Sequence, residues 1–312
     1  MGKAFAGGLR MDARTIARWL AWTARDRLTY PSLLLRARRE SAEAAGDLIE
    51  HRIAWGDDPA QHALLILPRE GMRGDRVVAF VHGGSWRRGS PADYRFVGRA
   101  LARAGYATAL LGYRLVPEHT FPAQRDDVLA GLRAVLAESQ QVGLPGGGAV
   151  LAGHSAGAHL AALAAYDGDS RERHGVGDGA VAGLLAVSGP LDIGLICENA
   201  PCPLFESLMG RPEGWDEADP ILFVSGDASL DVLAVHGRRD PMVSVAASES
   251  FVARVNGQAS RGMPDAQHGD GAGRARLLVA ENGYHGDLVK AIAGQSAETP
   301  ETYAWLADVA GA

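Results

Sequence analysis

The feature that most constrains this chain is one serine with a glycine two residues to either side, set between an apolar run and an alanine-rich segment. Residues 149–166, AVLAGHSAGAHLAALAAY, pass from a strand-like stretch through Gly153-His154-Ser155-Ala156-Gly157 into helical spacing. A serine between strand and helix ordinarily caps the helix, its hydroxyl accepting a hydrogen bond from an orphan helix amide. A cap does not require missing side chains two positions before and after it. A sharp strand-to-helix turn does, because side chains there collide with the adjoining strand and helix.

The surrounding pattern repeats strand and helix. HALLILP (62–68) and RVVAFVHGG (76–84) read as short strands ending in turn residues. A helix over 93–104 precedes the strand YATALLGY, another over 124–138 precedes GAVLAGHS, and AVAGLLAVSG and LDVLAVHG add two strands more. This alternation predicts an α/β fold with a mostly parallel central sheet and helices on both faces. Sites in such sheets lie at the carboxyl ends of the strands. Ahead of the sheet, residues 12–47 read as an amphipathic helix pair broken near Tyr30-Pro31-Ser32, with Trp19 and Leu20 set among arginines. The expected organisation is an N-terminal helical segment over 1–50, serving as a cap or packing arm, and an α/β domain over 51–312. Insertions interrupt that domain near 196–221 and 256–275, the second glycine-rich and polar like a loop.

A net charge of -6 with no basic run argues against nucleic acid as a partner. No uninterrupted apolar stretch reaches the length of a membrane span, and the first residues lack the apolar core of a secretory signal, so a cytoplasmic protein is expected. Cys197 and Cys202 are the only cysteines, too few for a disulfide scaffold or a zinc site, and are expected to be reduced thiols. No metal or cofactor is expected. Oligomeric state is left open, since the N-terminal helices suit a cap or a dimer contact equally.

Acyl transfer by a serine requires a base, a group that orients the base, and donors aimed at the developing oxyanion. His82-Gly83-Gly84-Ser85-Trp86 closes one strand, and its paired glycines let backbone amides turn toward a substrate. Asp240, before Pro241, follows the strand LDVLAVHG; alone it reads as a turn former. His285 follows the last strand-like run, RARLLVA. The order Ser155, Asp240, His285 matches the nucleophile, acid and base order of α/β-hydrolases. Ser188 with Asp192 lacks a second glycine to shape an elbow, and His268, in the glycine-rich loop, is a weaker base candidate. His154 and Trp86 are taken as candidate pocket residues, Trp86 equally as a support for its loop.

HGGSW, GHSAGAHL, the strand-end Asp240-Pro241, the terminal His285 and GYRLVPEHTFPAQRDDV together resemble α/β-hydrolases of the esterase/lipase superfamily. Within it they are most similar to the kynurenine formamidase and acetyl/feruloyl xylan esterase-like branch. The resemblance implies an α/β-hydrolase fold, Ser155 as nucleophile, His285 as general base then acid, and Asp240 as its orienting group. It also implies an oxyanion hole from the amides of Gly84, Ser85 and Ala156, with Gly83 making the turn possible. The expected activity is hydrolysis of short-chain acyl or aryl esters through an acyl-enzyme. An arylformamidase is the alternative substrate class, and a small-molecule-binding scaffold that has lost catalysis is the remote one.

Overall fold

The aliphatic runs assemble into one eight-stranded sheet in the order β1-β2-β4-β3-β5-β6-β7-β8. The computed structural model describes residues 46–144, 147–197, 202–211, 214–224, 230–258, 274–294 and 301–311. The strands are β1 (Leu48–Ala54), β2 (His62–Pro68), β3 (Val77–Val81), β4 (Thr108–Leu111), β5 (Ala149–His154), β6 (Val181–Val187), β7 (Asp231–Gly237) and β8 (Arg274–Ala280). β1 pairs antiparallel with β2 and β2 with β4, while every pairing from β4 through β8 is parallel. This is the expected mostly parallel sheet.

Helices cover both faces: α1 (Arg95–Arg103), α2 (Ala123–Gln141), α3 (Ala156–Tyr166), α4 (Gly168–Arg173), α5 (Ile193–Cys197), α6 (Pro203–Met209), α7 (Val245–Val255), α8 (Leu288–Ile292) and α9 (Glu301–Ala310). β3, VVAFV, is buried along its whole length, as a strand covered on both sides must be. Its Val77, Ala79 and Val81 join the core shared with Leu132 of α2 and Leu160 of α3. Val78 and Phe80 face the other core, with Leu101 of α1 and Trp305 of α9. α3 is buried all round, which explains its alanines: small side chains let it lie close against the sheet.

β1 and α9 are not legible in the sequence. β1, LIEHRIA, is an edge strand with an exposed centre, so Glu50, His51 and Arg52 break the apolar period. Because β1 begins at Leu48, the sheet starts ahead of the boundary drawn at residue 50. The helical reading of 12–45 and most of the loop at 256–275, His268 included, lie outside the described residues.

The expectation of reduced cysteines is corrected: Cys197 and Cys202 form a disulfide, their Cα atoms 5.6 Å apart. It joins the end of α5 to the residue before α6, bringing two short helices of the insertion together. Counting cysteines against a scaffold missed a single local staple. Among the described residues no helix is long and apolar enough to cross a membrane.

Candidate active site

β5 delivers its chain into a turn that glycine alone fits at two positions. A Cβ on Gly153 would strike the carbonyl of Gly157, and one on Gly157 would strike the carbonyl of Val81 at the end of β3. Between them Ser155 adopts φ 56°, ψ -123°, a conformation rare for a residue with a side chain. Its amide donates to the Val187 carbonyl at 2.8 Å and its carbonyl accepts from His159, so both sides of the turn are pinned. The hydroxyl makes no capping bond to α3. It lies 2.8 Å from His285 Nε2 instead.

His285 follows β8, and its Nδ1 stands 2.7 Å from Asp240 Oδ2. Carboxylate oxygens only accept here, so Nδ1–H donates to Asp240 and Nε2 is left to accept from Ser155. Asp240, after β7, is itself clamped: Oδ1 accepts from the amides of Met242 at 2.8 Å and Val243 at 3.0 Å. The carboxyl is fully buried, and burial alone would raise its pKa; the neighbouring His285 and His236 outweigh this and hold it far below the usual carboxylate range. His236, a residue the sequence reading passed over, lies 3.4 Å from Asp240 Oδ2 and 3.0 Å from the Val243 carbonyl. Its other ring nitrogen takes the Ser248 hydroxyl at 2.7 Å.

The HGGSW loop leaves β3 beside the elbow. Gly84 has φ 133°, and Ser85 and Trp86 both have φ 57°, so three successive residues turn left-handed. The Gly84 carbonyl accepts from Arg87 and Arg88, closing the turn. Among the described residues no backbone carbonyl accepts from the amides of Gly84, Ser85 or Ala156. Ala156 opens α3, whose dipole adds positive potential at that point. Gly83 differs from Gly84 in lacking a positive φ: a Cβ there would meet the His154 carbonyl at 2.8 Å and the Tyr94 hydroxyl at 2.9 Å, so it serves close approach. The His82 ring stacks on Tyr113 at 4.2 Å, and the Tyr113 hydroxyl donates to the His82 carbonyl.

The two candidate pocket residues, Trp86 and His154, are both buried. Trp86 is 1% exposed, packed 5.1 Å from both His159 and Phe205 by ring centroids, and so backs the loop. His154 is buried with Nδ1 3.0 Å from the Tyr94 hydroxyl and Nε2 3.0 Å from the backbone carbonyl of His285. Both ring nitrogens of His154 are spent on neighbouring protein groups, while Trp86 Nε1 is buried without a hydrogen-bond partner among the described residues. Ser188 also has a positive φ, 50°, but its buried hydroxyl finds no partner among the described residues. Asp192 beside it holds the amide of Leu195 and the hydroxyl of Ser250. Among the described residues no group of three His, Cys, Asp or Glu side chains is arranged to hold a metal ion.

Residues 65–255, more than half of the chain, match the family model BD-FAE. Over 225 residues the chain is 30% identical to Esterase LipC of Mycobacterium tuberculosis (strain ATCC 25618 / H37Rv), covering 65% of this chain and 54% of that protein. Over 126 residues it is 36% identical to the probable isoprenylcysteine alpha-carbonyl methylesterase ICME of Oryza sativa subsp. japonica, covering 39% of this chain and 30% of that one. The chain thus spans about half or less of the length of these curated relatives. The crystal structure of Esterase B from Lactobacillus Rhamnosis (HN001) superposes with a TM-score of 0.69 at 22% identity, over 95% of this chain and 96% of the other. That likeness establishes the α/β-hydrolase fold.

Proposed function

The chain belongs to the BD-FAE family, and on that premise we propose that it is a serine carboxylesterase acting on short-chain acyl or aryl esters. One observation carries the reading: Ser155 Oγ, His285 and Asp240 form a continuous hydrogen-bonded line of 2.8 Å and 2.7 Å. The relatives named esterase and methylesterase support the ester as substrate class. The branch first suggested by the motifs, with its acetyl and feruloyl esters, remains part of the proposal.

In this reading His285 Nε2 takes the proton as Ser155 Oγ attacks the ester carbonyl, and the ionised Asp240 holds the imidazolium that results. The amides of Gly84, Ser85 and Ala156 receive the oxyanion. The tetrahedral intermediate collapses as His285 returns the proton to the leaving alcohol, leaving the acyl group on Ser155. Water, deprotonated by the same nitrogen, then releases the acid and restores the serine. The reaction consumes one ester and one water and yields one alcohol and one acid.

The test is hydrolysis of a p-nitrophenyl acyl series beside N-formylkynurenine, with the wild type and Ser155→Ala assayed together. Short-chain esters are expected to be the preferred substrates, and the variant to lose at least about a thousandfold in kcat. A variant that keeps its rate overturns the mechanism. Dominant deformylation replaces the ester by an aryl formamide.

A further inference from the structure

Of the buried imidazoles that the proposed mechanism leaves unused, His154 stands nearest the base. His154 precedes Ser155, and its ring sits 5.0 Å from that of His285 by centroids. Its Nε2 faces the His285 carbonyl, an atom that only accepts, so Nε2 carries the hydrogen. Nδ1 is then bare and accepts from the Tyr94 hydroxyl. Tyr94 closes the short turn Pro91–Tyr94 that leads into α1, and its hydroxyl lies against Gly83 of the HGGSW loop. One tautomer of one ring therefore ties together three loops: those after β3, β5 and β8.

We infer that Tyr94 and His154 are positioning residues, a buried hydrogen-bonded relay that holds the backbone of His285 at the distance from which its imidazole reaches Ser155. This rests on the reading of Ser155 and His285 as nucleophile and base. The geometry supports it directly. The side chain of His285 is held by Ser155 and Asp240, but its main chain sits on a loop after the outermost strand, and in that loop His154 is what grips its carbonyl. Because His154 is the sequence neighbour of Ser155, the grip is referred to the nucleophile's own backbone.

The charge state suits a fixed tautomer. Burial, then the adjacent His285, pushes His154 down to about 3, with Asp240 acting oppositely and His236 in the same sense, so the ring stays neutral over the working range. Burial raises the Tyr94 phenol, which keeps its hydrogen. A half-satisfied link in such a chain leaves its partner unpaired and free to shift.

The experiment compares Tyr94→Phe, His154→Leu, His154→Gln and the Tyr94→Phe/His154→Leu double variant with the wild type and Ser155→Ala, each below its own melting temperature. Tyr94→Phe is expected to lower kcat about tenfold, the order of one lost buried hydrogen bond, with KM within about twofold. His154→Leu is expected to cost roughly a hundredfold in kcat, as a displaced base does. Glutamine places an amide N–H near the position of Nε2, so His154→Gln should recover about tenfold over leucine. The double variant should be no worse than His154→Leu alone, because the hydroxyl has nothing left to orient. Should the leucine variants fail to fold, Tyr94→Phe and His154→Gln decide. The inference is overturned if Tyr94→Phe and the His154 variants keep kcat within about twofold while Ser155→Ala is inactive, or if glutamine and leucine fall only in step with lost thermal stability. An active Ser155→Ala instead removes the reading of Ser155 as nucleophile, and this inference falls with it.

Discussion

At the scale of single residues, the site is defined by what each polar atom is permitted to do. Asp240 accepts two amides on one oxygen and His285 on the other, so the carboxylate has one orientation and imposes one tautomer on the imidazole. Asp240→Asn keeps the shape but removes the charge that stabilises the imidazolium. It is expected to lower kcat by about three to four orders of magnitude with KM little changed, read from p-nitrophenyl acetate hydrolysis. A loss under tenfold would mean that Asp240 acts as a turn former only. The same logic explains why Ser188 is not an equivalent serine: it shares the positive φ, yet its hydroxyl has no base within reach among the described residues.

At the scale of elements, the stretch GYRLVPEHTFPAQRDDV shows how a long connection is held still. Asp127 on α2 is 2% exposed and accepts from the Arg114 amide, Nε and Nη2 and from Gln61 Nε2, all within 2.9 Å. The connection between β4 and α2 then meets the HGGSW loop, where the Val116 amide donates to the Trp86 carbonyl at 3.0 Å. The stretch thus packs against the HGGSW loop. Asp127→Ala leaves a guanidinium without its carboxylate partner and is expected to cost about 3 kcal/mol of stability, discounted for the partial exposure of Arg114. An unchanged urea midpoint would show that the pair contributes nothing. β1 and α9 escaped the sequence reading at this same scale, one because an edge strand loses its apolar period, the other because its register depends on the core it meets.

At the scale of the molecule, three buried histidines make stability depend on acid. Burial pushes His82 to about 4, His154 to about 3 and His159 to about 4, against 6.5 for the free side chain. Below pH 6.5 the unfolded chain therefore binds protons that the folded chain refuses, and the folded state loses stability as pH falls. Each ring contributes up to about 1.4 kcal/mol per pH unit, so the protein is expected to be about 4 kcal/mol less stable at pH 5.5 than at pH 7.5. Asp240, with its pKa depressed in the fold, adds to the loss only at lower pH, where unfolded carboxylates take up protons. Urea unfolding at the two pH values checks this, and equal midpoints would contradict the burial of these rings.

Strand and helix alternation, the glycine-bracketed elbow and the three strand-end residues were determined by sequence alone, because turn chemistry and apolar period act between neighbours a few residues apart. Ser155, Asp240 and His285 were therefore legible as candidates, each at a chain punctuation. The roles of His154, Tyr94 and His236 were decided only by tertiary structure, as was the place of Trp86. Tyr94 and His154 are 60 residues apart, and His154 and His285 131 apart. No local pattern encodes such pairs. They meet because the order β4-β3-β5-β6-β7-β8 gathers the strand ends on one edge, and buried polar atoms excluded from water there must find partners among whatever that order brings near.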